Sequence, residues 1–206
     1  MHMTFSIYDV LAQLIPGFMV YLTMTYVLGY EWDKDYILAI TAISYVLGYF
    51  INTLGSWLEG LYFWSWRGAP WSRLLEGKDI FSVRFYAHEE ILGLLKLETT
   101  KQNIDFNELY SIAFRFALGV KDTRIEVFNA NYALSRNILT ASIIIFIILL
   151  FDVRDSYRYI FLSTVAIIVS WQRCKERGYY LSKEVLMTYL RLKIPIKPIG
   201  TNHSSQ

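Results

Sequence analysis

The sequence predicts an all-α integral membrane protein, a helical bundle that crosses the bilayer about four times. Hydrophobic residues make up 54% of the 206 residues and charged residues only 18%, whereas soluble domains carry about 25% charged residues. The apolar residues form long blocks, and neither 10–30 nor 36–58 contains a charge. At roughly 1.5 Å per helical residue, each block can span the hydrocarbon core of about 30 Å.

Two further blocks follow in the second half of the chain. Residues 137–151 read NILTASIIIFIILLF, and 132–136 extend this block because the long side chain of Arg136 can reach the interface. Residues 159–172 form a weaker block, which spans only if Arg158 and Arg173 lie at its two boundaries. An alternative for this second pair is a buried hairpin of a soluble protein.

Short charged connections pair the four blocks as two hairpins. The connections are 31–35 and 152–156, and both are too short to hold more than a turn. The predicted organisation is a first transmembrane hairpin, a cytoplasmic helical segment, a second transmembrane hairpin and a basic amphipathic cytoplasmic tail. Their boundaries are 1–58, 59–131, 132–174 and 175–206.

The distribution of Lys and Arg predicts the orientation. Three of the 20 basic residues lie in or next to the short connections, namely Lys34, Arg154 and Arg158, whereas ten lie in 59–136 and seven in 173–206. Basic residues concentrate on the cytoplasmic side of membrane proteins. We therefore expect a multi-pass protein of the inner (cytoplasmic) membrane with both termini in the cytoplasm.

Aromatic and basic residues mark the expected cytoplasmic boundary. The interfacial aromatics are Trp57, Trp64, Trp66 and Trp71. Three basic residues lie at the start of the tail: Arg173, Lys175 and Arg177. We expect them to contact lipid or a partner protein, or alternatively only to fix the topology.

Amphipathic patterns predict helices in the cytoplasmic parts. Residues 105–108 have the spacing of a capping box and begin an amphipathic helix, and a further helix runs through Ile125 into the third membrane block. The tail pattern predicts a helix that shares its core with the segment 59–131.

Small and polar residues in the membrane blocks predict close helix packing. Pro16 and Gly17 indicate a kink and a close approach in the first helix, and Gly48 permits the same in the second. Polar candidates for helix packing are Asn52 and Asn137. For ion pairing, the candidates are Glu59 with Arg136 or Glu59 with Arg173. No ionisable residue is expected at mid-depth, which disfavours an ion-driven transporter.

The sequence shows no enzyme motif. It lacks the nucleotide-binding loops, the zinc-protease helix and the serine-hydrolase elbow, and its three histidines are far apart. Arg84 and His88 resemble the Arg…His pair of HEPN ribonucleases, but three residues separate them where that family has four to six. We therefore expect no catalytic activity, no metal and no cofactor.

Three stretches carry a family resemblance: 8–17 with its Ile-Pro-Gly, 47–59, and 128–137. This arrangement resembles small multi-pass membrane proteins of prokaryotic antiviral defence loci, in particular the membrane accessory proteins of type VI-B CRISPR systems. Kiwa-type membrane subunits are similar in helix count. The resemblance implies an oligomer of the inner membrane that alters membrane integrity when a cytosolic partner senses phage.

The expected function is therefore an oligomeric pore or membrane-perturbing effector in antiviral defence. The expected partners are the lipid bilayer, further copies of the chain and a cytosolic defence protein, and direct binding of nucleic acid stays open. One alternative is a membrane scaffold or regulator that anchors a soluble defence enzyme. Another is a small channel or transporter subunit.

Overall fold

The computed structural model describes residues 7–30, 34–80, 82–99, 105–119, 123–151 and 157–194. These residues form seven α-helices and one short 3₁₀ turn at Lys34–Tyr36, and their only β-pairing is an isolated bridge between Ile80 and Val83. The helices are α1 (Ile7–Leu28), α2 (Ile37–Ser65), α3 (Pro70–Leu75), α4 (His88–Leu97), α5 (Phe106–Gly119), α6 (Thr123–Leu150) and α7 (Tyr157–Lys193). The predicted all-α class is confirmed.

Small residues bring α1 and α2 together. A Cβ atom on Gly17 would lie 1.8 Å from the carbonyl oxygen of Ser44, and a Cβ on Gly48 would lie 1.9 Å from that of Gln13. Such distances require glycine at both positions, because the backbones themselves are in contact. Gly17 of α1 therefore contacts α2, and Gly48 of α2 contacts α1, which is typical of helix packing in membranes.

The bundle of α1, α2 and α6 exposes many large apolar residues and buries small and polar residues together with a few aliphatic ones. Its buried interior includes Ser44, Asn137, Thr140, Ala141 and Ser142. Large exposed hydrophobic residues are found on α1, α2 and α6. An apolar outer surface of this size indicates a protein surrounded by lipid.

Three segments are long and apolar enough to cross a membrane by their length and composition: Val10–Leu28, Ile37–Leu75 and Arg124–Leu150. These segments indicate a membrane protein and cover nearly all of the first three predicted blocks. The fourth block, 159–172, lies in α7 and is not among them, since polar and charged residues flank its short apolar stretch. The predicted turns 31–35 and 152–156 lie largely or wholly outside the described residues, as do 1–6 and 195–206.

α7 is one continuous helix of 37 residues, which corresponds to a length of about 55 Å. Its first half presents exposed apolar residues such as Phe161 and Val169, whereas Tyr179 and Leu186 in its second half are fully buried. The helix passes without a break through the predicted boundary between 174 and 175. The fourth apolar block and the basic tail are therefore parts of one helix.

The second half of α7 forms the centre of a compact unit with α3, α4 and α5, which we call the helical base. Its core contains Leu74, Ile91, Leu109, Leu186 and Tyr189. The expectation that the tail shares a core with the segment 59–131 agrees with this arrangement. The predicted amphipathic helix is α5, where the Oδ1 of Asp105 accepts a hydrogen bond from the backbone N–H of Asn107 at 3.3 Å.

Only two of the four predicted interfacial tryptophans have exposed side chains. Trp57 and Trp64 are 76% and 82% exposed on the outer face of α2, but Trp66 is 2% exposed and lies in the core of the base. Trp71 stacks on Tyr110 and donates a hydrogen bond to Asn107 at 2.8 Å. Because the chain turns after Ser65, the indole of Trp66 is buried in the core of the base, which differs from its expected exposed position, and that of Trp71 is half-buried against Tyr110.

Candidate functional site: a polar cluster between α1, α2 and α6

An ion pair joins α2 to α6 where the bundle meets the helical base. Nη1 of Arg136 lies 3.5 Å from Oε1 of Glu59, and Nη2 of Arg136 donates a hydrogen bond to Oδ1 of Asn52 at 2.8 Å. The side chains of Arg136 and Glu59 are only 13% and 28% exposed. Asn52 and Glu59 are seven positions apart, which is about two turns of α2, so both side chains lie on the face that contacts Arg136.

A tyrosine completes the environment of Glu59. The hydroxyl of Tyr132 donates a hydrogen bond of 2.5 Å to Oε1 of Glu59, the oxygen that also faces Arg136. Tyr132 precedes Arg136 by one helical turn, and the guanidinium carbon lies 5.8 Å from the centre of the ring. The carboxylate is thus held by a cation and a hydroxyl that come from neighbouring positions of α6.

A second link joins the same two helices one turn away. Oγ1 of Thr140 donates to the carbonyl oxygen of Arg136 at 2.9 Å and lies 3.0 Å from the hydroxyl of Tyr62. Since the threonine proton is directed to the carbonyl, the tyrosine is the donor of this second bond. Gly55 leaves the space for the contact, because a Cβ there would lie 2.9 Å from Oγ1 of Thr140.

Pro16 and Asn137 act together at the contact between α1 and α6. Pro16 has no N–H, so the carbonyl oxygen of Ala12, four residues earlier, lacks its usual helical donor. Nδ2 of Asn137 donates to that oxygen at 3.0 Å. A backbone acceptor exposed by a proline inside the bundle is therefore satisfied by a side chain of another helix, as the membrane interior requires.

These contacts connect three helices through groups that are costly to separate. Removing one partner of this partly buried ion pair leaves the other charge without compensation, at a cost below the about 3–5 kcal/mol of a fully buried pair. The cluster can therefore hold α1, α2 and α6 in one arrangement, and any movement between α2 and α6 has to separate Arg136 from Glu59. The described residues contain no group of three His, Cys, Asp or Glu side chains that could hold a metal ion.

All seven residues predicted for helix packing or ion pairing lie at the contacts between these three helices: Pro16, Gly17, Gly48, Asn52, Glu59, Arg136 and Asn137. Of the two expected partners of Glu59, Arg136 is the one in contact, while Arg173 pairs with Glu176 at 2.9 Å. Sequence reasoning missed Tyr132, Tyr62 and Thr140. The spacing of Tyr132 and Arg136 by four residues was a signal, since it places both on one face of α6.

The three basic residues at the start of the tail differ in their surroundings. Arg173 is exposed and paired with Glu176, Nζ of Lys175 lies 5.4 Å from the centre of the Trp171 ring, and Arg177 is half-buried. Burial lowers the pKa of Lys175, and the positive charges of Arg73 and Arg67 lower it further.

Arg84 and His88 do not form a pair on one helix. Arg84 lies in the non-helical stretch before α4, where its Nη1 donates to the hydroxyl of Tyr86 at 3.5 Å. His88 is the first residue of α4, and its ring packs against Gly77, whose Cβ would lie 2.9 Å from Nε2. This geometry differs from the helical Arg…His arrangement that the spacing resembles.

No protein family, curated protein or solved structure matches this chain at a significant level.

Proposed function

We propose that this protein is a non-catalytic effector of antiviral defence in the inner membrane. In this proposal it forms an oligomer that opens a pore or perturbs the bilayer when a cytosolic partner binds the helical base. The chain crosses the membrane four times with both termini in the cytoplasm, and the first half of α7 is the fourth crossing. Both α6 and α7 run without a break from the helical base into the apolar part of the molecule, and this continuity is the main support for the proposal.

Continuous helices favour a role in transmission. Ile125 of α6 is buried in the core of the base, while Ala141 of the same helix lies in the small apolar core of the bundle with Val20 and Ile51. An α-helix resists bending without a proline or a bulge. A displacement of the base by a partner would therefore move α6 and α7 within the membrane.

The polar cluster supplies a reason why movement needs a signal. Arg136, Glu59 and Asn52 join α6 to α2 through charged contacts that a displacement of α6 must break. We propose that this cluster holds the resting arrangement. Binding of the partner would provide the free energy to separate it, since a ligand shifts a conformational equilibrium by its differential affinity for the two states.

Conduction requires more than one copy. In the described part of the chain, the interior of the bundle is filled by Val20, Ile51 and Ala141 and by closely packed glycines, and one protomer with so few helices is too narrow for an aqueous channel. The exposed apolar residues of α7, such as Phe161 and Ile168, provide a surface on which neighbouring copies can pack.

The test is expression of the full chain with its neighbouring genes, followed by infection and measurement of membrane potential with a voltage-sensitive dye. We expect depolarisation on infection and a ladder of crosslinked oligomers in detergent. Glu59→Gln should depolarise cells before infection, whereas Glu90→Gln, an exposed carboxylate of α4, should behave as wild type. A strictly monomeric protein together with an unchanged potential during infection would contradict the proposal.

A scaffold that anchors a soluble defence enzyme is the second candidate. Leu97 and Tyr86 are 85% and 81% exposed on the helical base, away from the apolar bundle, and exposed apolar side chains are common at sites of protein binding. A stable complex with one soluble protein that is lost in Leu97→Ser, with no change in ion permeability, would favour this function over the effector.

A further inference from the structure

Three cationic side chains converge where α2 ends, and they belong to Arg67, Arg73 and Lys175. Arg67 and Arg73 lie three residues before and three after Pro70, whose ring packs on α7 at Gly178; a Cβ on Gly178 would lie 3.2 Å from Cγ of Pro70. Lys175 precedes Gly178 by three residues, so it lies on the same face of α7. The contact between α3 and α7, together with the hydrogen bond from Trp171 to Ser65, therefore brings the three cationic residues into one region of the molecule.

The conformation at Arg67 directs the chain into this position. The N–H of Arg67 donates to the carbonyl of Trp64 at 3.0 Å, and the N–H of Gly68 donates to that of Phe63 at 2.9 Å. This is the Schellman pattern that ends many helices, in which the residue at the position of Arg67 is usually glycine. Arg67 has φ 65°, a left-handed conformation that costs free energy for a residue with a Cβ.

The cations have no acidic partner in the described part of the chain. The ion pairs there involve other basic residues, and none includes Arg67, Arg73 or Lys175. The Nε of Arg73 is buried without a hydrogen-bond partner, and the stem of the side chain lies against Gly68, whose Cβ would be 3.4 Å from Cδ. The guanidinium of Arg73 also lies beside the hydroxyl of Tyr179, which leaves its other N–H groups to bind an anion.

The surroundings indicate which anion would bind. Trp57, Leu61 and Trp64 form an exposed apolar stripe along the last turns of α2, which ends within one turn of Arg67. Trp171, beneath Lys175, donates a hydrogen bond to Ser65 at 2.9 Å. Tryptophans concentrate at the level of the lipid head groups, and arginine binds phosphate oxygens with two parallel hydrogen bonds.

We propose that Arg67, Arg73 and Lys175 form a binding site for the phosphate group of an anionic phospholipid. The acyl chains would lie along the Trp57–Trp64 stripe of α2 and the phosphate between the three cations. Bound phosphate would offset the mutual repulsion of the cations. This site is independent of the proposed effector function, because it requires only that the chain is embedded in a membrane.

The test uses the full-length protein in an uncharged detergent and native mass spectrometry to count bound lipids. The probes are phosphatidylglycerol, phosphatidylcholine with the same acyl chains, and soluble glycerol 3-phosphate. We expect one phosphatidylglycerol to bind with higher affinity than phosphatidylcholine. Each of Arg73→Gln and Lys175→Gln should weaken it about five-fold, the effect of one cation near a membrane surface, while exposed Arg115→Gln on α5 should have no effect.

Arg67→Gly separates binding from folding. Because glycine adopts φ 65° without strain, this variant should melt at a temperature equal to or above that of wild type while its affinity for phosphatidylglycerol falls. Unchanged affinity in Arg67→Gly, Arg73→Gln and Lys175→Gln, or an equal loss in Arg115→Gln, would overturn the site. Complete displacement of the lipid by an equal concentration of glycerol 3-phosphate would show that the site binds a soluble phosphate and not a membrane lipid.

Discussion

The hydrogen bond from Asn137 to the carbonyl oxygen of Ala12 can be tested by mutation, because Pro16 is the reason that this oxygen needs a donor from another helix. In wild type the Ala12 oxygen has no helical donor, and the amide of Asn137 supplies one at 3.0 Å. Asn137→Leu keeps the branched shape of the side chain but leaves this buried acceptor without a partner, which costs about 1–3 kcal/mol. The loss is reduced because the substitution also removes Oδ1 of Asn137, which is buried without a partner. We expect a net destabilisation of about 1–2 kcal/mol.

Pro16→Ala is the matched second variant. Alanine restores an N–H that can bond to Ala12 within α1, so the helix no longer depends on Asn137. In the Pro16→Ala background, Asn137→Leu should therefore cost close to nothing, and the coupling free energy between the two positions should be about 1–2 kcal/mol.

The measurement is equilibrium unfolding of the four proteins in mixed micelles with increasing amounts of sodium dodecyl sulfate, followed by far-ultraviolet circular dichroism. The free energy of unfolding of each protein comes from the same transition. The coupling free energy is the cost of Asn137→Leu in the wild-type background minus its cost in the Pro16→Ala background. An equal cost of Asn137→Leu in the wild-type and Pro16→Ala backgrounds would refute the reasoning. In that case the amide would contribute through packing and not through the carbonyl that the proline exposes.

Three other predictions concern separate parts of the molecule. Gly17→Ala should destabilise the bundle by about 1–3 kcal/mol in the same assay because its Cβ would overlap the Ser44 carbonyl. Gly60→Ala, where a Cβ meets nothing within 4 Å, should leave the free energy of unfolding unchanged or raise it. Equal destabilisation by the two substitutions would argue against close packing at Gly17. Burial raises the pKa of Tyr179 and Tyr189 above 10, so their neutral forms stabilise the base below about pH 10, and stability should fall as the pH rises further. The difference in absorbance at 295 nm between wild type and Tyr179→Phe or Tyr189→Phe isolates each tyrosine from the others. It should show ionisation only as the base unfolds, and a difference signal at pH 10 in folded protein would contradict this. Purified protein should cleave RNA no faster than Arg84→Ala in a fluorescence assay, and cleavage that the substitution abolishes would show an enzyme.

The sequence allowed several features of the bundle to be predicted because lipid makes strict demands. Gly17 and Gly48 were identified because small residues permit backbone contact in membranes. Glu59 and Arg136 were identified because charges near an apolar block require partners. Their pairing depends on α2 and α6 being neighbours, and the sequence offered Arg173 as an equally good partner for Glu59.

The features that sequence reasoning missed depend on tertiary contacts. Trp66 follows the exposed Trp64 by two residues, and only the turn at Arg67 reveals that Trp66 is buried in the base. The charged run after Trp171 suggested a boundary at 174. However, Arg173 and Glu176 form a pair across one turn of a continuous helix, and such pairs stabilise helices.

The path of α7 has a consequence for the order in which the protein is made. The core of the helical base contains Leu74 and Leu109 from the middle of the chain together with Leu186 and Tyr189 from its end. During synthesis, residues 70–119 leave the ribosome long before 176–193 exist. The base must therefore stay incomplete, with apolar surface exposed, until α7 has been synthesised and its first half positioned. A chain that stops at 174 would retain the segments of the bundle but lack the α7 side chains of that core, among them Tyr179, Leu186 and Tyr189. The exposed apolar segments of α3, α4 and α5 would then be prone to aggregation.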